Sequence, residues 1–564
     1  MKNRGTTSRA LALGVLVAAL VAAMLLATPA HASTTFTVNS TADDGDLTPG
    51  NGECYTGVDV AVGVKGCTLR AAIQEANAFP GADVIEFDIP ATGVATITPA
   101  TQLPTITRPV TIDGYSQPGA EPNTLATGAT NAVLKIELNG QSAGSEAHGL
   151  QIQGSNSVVR GLVINRFGYD GIYIEGPGNK LTGNFIGTDP SGTLDLGNRN
   201  GVKIQAGGYS NTVGGSSPGV RNLISGNDGD GVQIDNGDGS NQVLGNLIGT
   251  KKGGAGPLGN SGSGVVIDTP NNTVGDTMAG ARNVISANGE DGVDIQGADA
   301  TGNKVMGNYI GTGASGTKDL GNKSEGVYIY EAPNNTIGGT TAAERNVISG
   351  NGSEGVQIFG NGATGNKVTG NYVGTDASGT KNLGNDDAGV GIRDTSNNTI
   401  GGTQAGACNV ISGNGAGVYI TGDAATGNRV LSNSIYANIG LGIDLAGTDG
   451  PTPNDEDDPD TGPNYLQNKP VLTSATTSAT RTTVRGTLNS TPNKTFLIQF
   501  FSNPSGEEGK TFRGHKNVTT DASGDATFTF TTTGKVGVGQ TMTATATGAG
   551  NTSEFSAPRR VVAQ

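Results

Sequence analysis

Short triplets of the form apolar-x-apolar run through the middle of this chain, divided from one another by Gly, Asn, Asp and Ser. Val202-x-Ile204, Val232-x-Ile234 and Val265-x-Ile267 are examples. Alternation of period 2 without a helical stripe predicts very short strands joined by tight turns. The triplets recur in register. Gly-(Val/Ile/Leu)-x-(Ile/Leu) begins at Gly149, Gly171, Gly201, Gly231, Gly264, Gly292, Gly326, Gly355, Gly389, Gly417 and Gly442. Gly-Asn-x-(Ile/Val)-Gly-Thr begins at Gly183, Gly245, Gly307 and Gly370, in steps of 62, 62 and 63 residues. Asn-x-Ile-Ser begins at Asn222, Asn283, Asn346 and Asn409.

Each unit of about 62 residues therefore holds two turns of chain with three short strands per turn. Stacked at ~4.8 Å, such turns predict an all-β fold, a right-handed parallel β-helix rod of roughly 50 Å. The recurrent Asn residues are expected at corners, where their amides can ladder from turn to turn. A β-propeller fits less well, since its repeats run to ~40–50 residues with longer strands. In Asn-x-Ile the middle residue should point outward: Phe185, Leu223, Leu247, Val284, Tyr309, Val347, Tyr372 and Val410. An open apolar column of that length needs a cover. The loops after Thr188, Thr250, Thr312 and Thr375 can supply it, or a second copy of the chain can.

The ends read differently. Residues 1–32 have a basic start (Lys2, Arg4, Arg9), an apolar run and Ala30-His31-Ala32, the pattern of a secretory signal peptide, with a retained membrane anchor as the rival reading. Within residues 33–148, Leu69, Ala72, Ile73 and Ala76 share one face of a helix expected to cap the open core. Residues 149–447 hold the repeats and 448–469 an acidic linker. Residues 470–564 carry Thr-rich strands that predict an immunoglobulin-like β-sandwich.

Composition narrows the function. Gly is 94 of 564 residues, Trp is absent and aromatics are 4%, too few large side chains for a wide globular core. A net charge of −15 argues against a phosphate-backbone partner. No run after the leader is apolar enough to span a membrane, so the mature chain is expected outside the cell, free or attached to its surface.

Cys67-Thr-Leu-Arg-Ala-Ala-Ile-Gln-Glu-Ala-Asn77 and Thr111-Ile-Asp-Gly-Tyr-Ser-Gln-Pro-Gly119, with the Gly-Asn-x-Ile-Gly-Thr repeats, resemble the CSLREA-domain proteins. Thr68 and Ala71 depart from the six-letter core of that motif. The resemblance implies an exported bacterial protein built on a pectin-lyase-like β-helix. It implies no shared catalytic set.

Lyases and hydrolases of that fold bring expectations of their own. Of the acidic and basic segments that mark polygalacturonases, only Asp386-Asp387 has a counterpart, and the Trp-containing segment of pectate lyases has none. His148 and His515 stand alone and read as ordinary loop or surface residues. Asp235, Asp268 and Asp294 fall on one outer face in consecutive turns ~4.8 Å apart. Paired carboxyls of retaining glycosidases lie ≈ 5–5.5 Å apart, so these three are the candidate catalytic residues. Solvated acids on an acidic protein are the plainer reading. Tyr328, Tyr330 and Phe359 follow on the same face and are the candidate sugar-stacking residues.

Arg221, Arg282 and Arg345 each precede Asn-x-Ile-Ser, and Asp230, Asp291 and Glu354 follow nine residues later, which suggests ion pairs, with an anion-binding row of Arg as the functional rival. Cys54 and Cys67 are expected to form a disulfide, leaving Cys408 free. Asp455, Asp457, Asp458 and Asp460 offer hard oxygen ligands for calcium, or else form a solvated hinge. Two functions survive: an exported protein that contacts a polysaccharide or cell-surface component along the rod, and a polysaccharide lyase or glycoside hydrolase with an atypical site. The oligomeric state is left open.

Overall fold

Successive strands of the chain fall into three parallel sheets of 13, 12 and 11 strands in a computed structural model that describes residues 33–447 and 450–564. The expected signal peptide, residues 1–32, lies outside the described residues. Within one coil the chain visits the first sheet (Thr212–Gly214), the second (Leu223–Ile224) and the third (Val232–Ile234) before climbing to the next coil. The register is in phase: Val202 pairs with Val232, Val232 with Val265 and Val265 with Val293. Equivalent residues thus stack coil on coil, which fits a right-handed parallel β-helix. Inward residues such as Ile204, Val213, Ile224, Val243 and Ile267 are fully buried in one continuous core.

Asparagine holds the corners. Between the first and second sheets, Asn222 Nδ2 donates to Asn246 Oδ1 (2.9 Å), Asn246 to Asn283 (3.1 Å) and Asn283 to Asn308 (2.9 Å). A second ladder runs from Asn198 through Asn227 and Asn260 to Asn288 at 3.1, 2.8 and 3.0 Å. In a third, the backbone N–H of Asn211 donates to Asn241 Oδ1 and that of Asn241 to Asn272 Oδ1, both at 2.9 Å. These amides satisfy backbone groups that the bends take out of the sheets.

Two kinds of coil alternate. In one, Thr336–Gly338 leads into a longer loop before Asn346. Gly338 has φ +88°, and a Cβ there would lie 2.0 Å from Thr369 O of the next coil. In the other kind, Lys304–Val305 turns into the second sheet through Gly307-Asn308 alone. A Cβ on Gly307 would meet Asp276 O at 2.4 Å and Ala343 O at 3.0 Å, so the short corner lies between the long loops below and above it.

The outward column of the second sheet is covered. Ala132, Leu134, Val163, Phe185, Leu223, Leu247 and Val284 form a buried cluster of their own, with Tyr115 and Ala314 packed against it from two separate parts of the chain. Further along, Gly316 packs against the Tyr309 ring and Gly379 against the Tyr372 ring, both from the loops that follow Gly-Thr.

At the start, helix α1 (Leu69–Ala78) buries Leu69, Ala72, Ile73 and Ala76 in the same core cluster as Phe36, Ile85 and Phe87. Thr68 accepts the Ala71 N–H at its N-terminus, and fully buried Glu75 accepts the backbone N–H groups of Gly50 and Gly52. A disulfide joins Cys54 to Cys67, with Cα atoms 5.3 Å apart, and Cys408 is free.

At the far end, strands from Val471–Thr477 onward make a four-stranded and a five-stranded sheet around Val484, Ile498, Phe500, Phe528 and Met542. Phe501 and Phe555 of this region belong instead to the β-helix core. The acidic segment between is not a free hinge. Asp458 accepts from Asn468 N (3.0 Å), Gln467 Nε2 (2.6 Å) and Ser490 Oγ (2.5 Å), and Glu554 accepts from Leu445 N and Thr452 N.

Candidate functional site

The third sheet presents three outward columns, fixed by its pleat and register. The middle residues of the triplets form one: Tyr173, Lys203, Gln233, Val266, Asp294, Tyr328 and Gln357 are paired in that order. The residues after the triplets form another, containing Asp235, Asp268, Gln296, Tyr330 and Phe359. The residue before each Gly makes the third column: His148, Asp170, Asn200, Asp230, Ser263, Asp291, Glu325 and Glu354. This third column is itself a ladder. Asp230 N donates to Asn200 Oδ1 (2.9 Å), Ser263 N to Asp230 Oδ1 (2.9 Å) and Glu325 N to Asp291 Oδ1 (3.0 Å).

The columns gather carboxyls in the middle of the face. Asp294 neighbours Asp230, Glu290, Glu325 and Asp268 closely enough for each to disfavour its charge, and Asp268 is similarly opposed by Asp235. Burial first, and these like charges second, push Asp294 up to about 7 and Asp268 up to about 6. Asp291 is raised to about 9 by burial and by its hydrogen bond to Glu325. Asp235 is 7% exposed and pairs with Lys203 at 3.1 Å. One buried carboxyl oxygen on each of Asp235, Asp268 and Asp294 has no hydrogen-bond partner.

Aromatic rings adjoin this acidic patch. Tyr328 and Tyr330 lie with centroids 6.0 Å apart and planes 11° from parallel, and Phe359 follows Tyr330 at 5.6 Å. Tyr330 is 39% exposed and the other two are half-buried. Above them a groove of about 480 Å³ is lined by Glu354, Arg393, Tyr419 and Asp444. Arg393 bonds Glu354 at 3.1 Å and stands 5.8 Å over the Tyr419 ring. The candidate acids and the candidate stacking residues thus share one face.

Other expected groupings are corrected. Arg221, Arg282 and Arg345 do not pair with Asp230, Asp291 and Glu354, because they sit at the corner before the second sheet and the acids face out from the third. Each Arg instead donates Nε to the carbonyl of a short corner in the next coil, Gly245, Gly307 and Gly370, at 3.0–3.1 Å. Arg282 and Arg345 also lie over Tyr309 and Tyr372 at 4.2 and 4.1 Å.

His148 is not an isolated surface residue. Its ring stacks on Tyr173 at 4.5 Å, and its Nδ1 lies 3.2 Å from Asp170 Oδ2. The signal for this cluster was in the chain, since His148 and Asp170 precede consecutive glycines of the repeat. Asp455, Asp457, Asp458 and Asp460 lie along the segment that docks the C-terminal sheets, where Asp457 N donates to Asn489 Oδ1. No group of three or more His, Cys, Asp or Glu suited to a metal ion occurs among the described residues.

No family model and no curated protein sequence matches the chain significantly. Solved structures do. Tailspike protein 2 of the Escherichia coli O157:H7 bacteriophage CAB120 is 11% identical over 92% of this chain and 68% of that one, with a TM-score of 0.31. The periplasmic alginate epimerase AlgG is 12% identical over 60% and 73%, with a TM-score of 0.29. Pectate lyase Pel9A is 14% identical over 68% and 76%, with a TM-score of 0.25. At such scores none of these likenesses bears on what this chain does. Among the described residues no helix is long and apolar enough to cross a membrane.

Proposed function

We propose that this chain is an exported carbohydrate-binding β-helix protein, and that a glycan lies along the outer face of its third sheet. One observation carries the reading: Tyr328, Tyr330 and Phe359 form an open aromatic shelf directly beside the half-buried carboxyls of Asp294 and Asp268. Sugar rings offer an apolar face for stacking and hydroxyl donors for the carboxylates at the surface of the patch. In this reading the CSLREA-like N-terminal segment closes one end of the rod. The C-terminal immunoglobulin-like sandwich closes the other and faces the cell surface or a neighbour.

A second reading, glycoside cleavage, is favoured by Asp268 and Asp294. They stand in neighbouring coils on a diagonal, Asp294 lying opposite Val266 and roughly 8 Å from Asp268 along the backbone, and burial with neighbouring acids raises Asp294 to about 7 and Asp268 to about 6. Retaining hydrolases hold their two carboxyls ≈ 5–5.5 Å apart and inverting ones ≈ 6.5–9.5 Å, so the diagonal matches the inverting arrangement. A glycan-array scan with a reducing-end and unsaturated-product assay on its hits tests both. Binding lost in Tyr330→Ala without product supports the first reading. Product that disappears in Asp294→Asn establishes the second. No binding to any glycan defeats both.

A further inference from the structure

We propose that the outer face of the first sheet carries a separate site, a groove that binds a linear acidic polysaccharide through Lys304, Lys367 and Arg429. This site lies on another side of the rod from the acidic, aromatic face and does not depend on the function proposed there. The pairing register puts Lys304, Thr336, Lys367, Thr399 and Arg429 in one outward column, so a cation recurs at every second coil. Two coils span roughly 9–10 Å. Lys180 and Gln242 occupy the equivalent positions in lower coils, in the same steps of 62 and 63 residues.

These cations are available. All three are exposed, and none takes part in an ion pair among the described residues. They line a groove of about 510 Å³ whose floor includes Gly338 and Gly401, which bring no side chain, and whose walls are the long loops of the alternate coils. Thr336, Thr369 and Thr399 add hydroxyls between the charges. Glu344 is the one carboxylate in the lining, and its Oε2 is engaged by Thr341 N and Oγ1, both at 2.9 Å.

Against 49 acids and 34 bases in the whole chain, a groove with three cations and one occupied acid is a local reversal of sign. It selects an anion. The regular interval selects a polymer with repeating charge over a single small anion. Nucleic acid matches poorly: its phosphates come at ~3.4 Å along a strand, far denser than these cations, and the net charge repels it.

The test compares a defined polygalacturonate oligomer, neutral dextran of similar length and a single-stranded oligonucleotide by calorimetry on the full chain. The wild type is expected to bind polygalacturonate, with affinity falling as salt rises, and to ignore dextran. Lys304→Gln, Lys367→Gln and Arg429→Gln together should weaken binding at least about tenfold. Lys251→Gln, Lys494→Gln and Lys535→Gln, the same loss of charge elsewhere, should change it by less than about twofold. Circular dichroism melts confirm that each variant is folded.

Equal losses in both triple variants, tighter binding of the oligonucleotide, or no polygalacturonate binding overturns the proposal. Light scattering that finds a wild-type oligomer dispersed by the groove variant also overturns it, since the cations then meet the acidic face of another copy.

Discussion

Asn438 joins the rod to its C-terminal region: its Oδ1 accepts from Asn414 Nδ2 at 3.1 Å, and its own Nδ2 donates to Glu508 Oε1 at 2.9 Å. A carboxylate from the far sheets therefore terminates an asparagine ladder that begins near Asn198. Glu508→Ala removes one of the two acceptors of the Asn438 amide, Ile411 O at 3.2 Å being the other, at a cost of about 0.5–1.5 kcal/mol. Hydrogen exchange is expected to speed up in residues 434–445 while the strands of the two C-terminal sheets keep their protection.

Removing a rung inside the rod should act in both directions along it. Asn283 donates its amide to Asn308 and to Val243 O, and its Oδ1 accepts from Asn246. Asn283→Ala is expected to destabilise by about 1–3 kcal/mol, with faster exchange at both Asn246 and Asn308. An effect confined to one side would mean the rungs act independently.

The covered column of the second sheet predicts a packing loss. Tyr309 and Tyr372 are each held between a loop glycine and an Arg guanidinium. Tyr309→Ser with Tyr372→Ser is expected to lower the melting temperature through a stability loss of about 1–2 kcal/mol per site, below the ~3–5 kcal/mol for a fully buried ring. Light scattering of this variant should give the wild-type mass.

Stability should fall with rising pH. Asp268, Asp294 and Asp291 titrate at about 6, about 7 and about 9 in the fold, against ~3.9 unfolded. Between those limits the folded chain binds more protons than the unfolded one. Their contribution is therefore complete below about pH 4 and is lost as pH rises through 6, 7 and 9. Asp189 and Asp376 oppose this: despite burial, hydrogen bonds from Ser191 and Ser378 hold them below the ordinary value. Their contribution is lost only under acidic conditions, below about pH 4. Melts between pH 5 and 9 should show a steady decline, and Asp294→Asn should flatten it around pH 7.

The coil architecture was legible because the physics of a narrow coil leaves little choice. Val232 and Ile234 must point inward, and Asn246 must answer a bend, so the residues repeat wherever the geometry does. Side-chain partners were harder. Arg221 and Asp230 are near in sequence and opposite in charge, yet a strand and a corner separate their directions. His148 looked solitary because its partners, Asp170 and Tyr173, lie one coil away. Lys304 and Lys367 were hidden similarly, each unremarkable alone and aligned only once the first sheet fixed their register. Asp458 read as solvated because the side chains that engage it, Gln467 and Ser490, lie in connecting segments, one just past a short 3-10 helix and one just past a strand, 9 and 32 residues further on.

The enclosure of Gly307 between the loops of the coils below and above has a consequence for how such a molecule can lengthen. A duplication of one coil would set two long loops, or two bare corners, against each other and break the fit. A duplication of both coils preserves every contact. The smallest heritable increment is thus a pair, adding roughly 9–10 Å, and any ligand that runs along the rod meets a ruler graduated in that step.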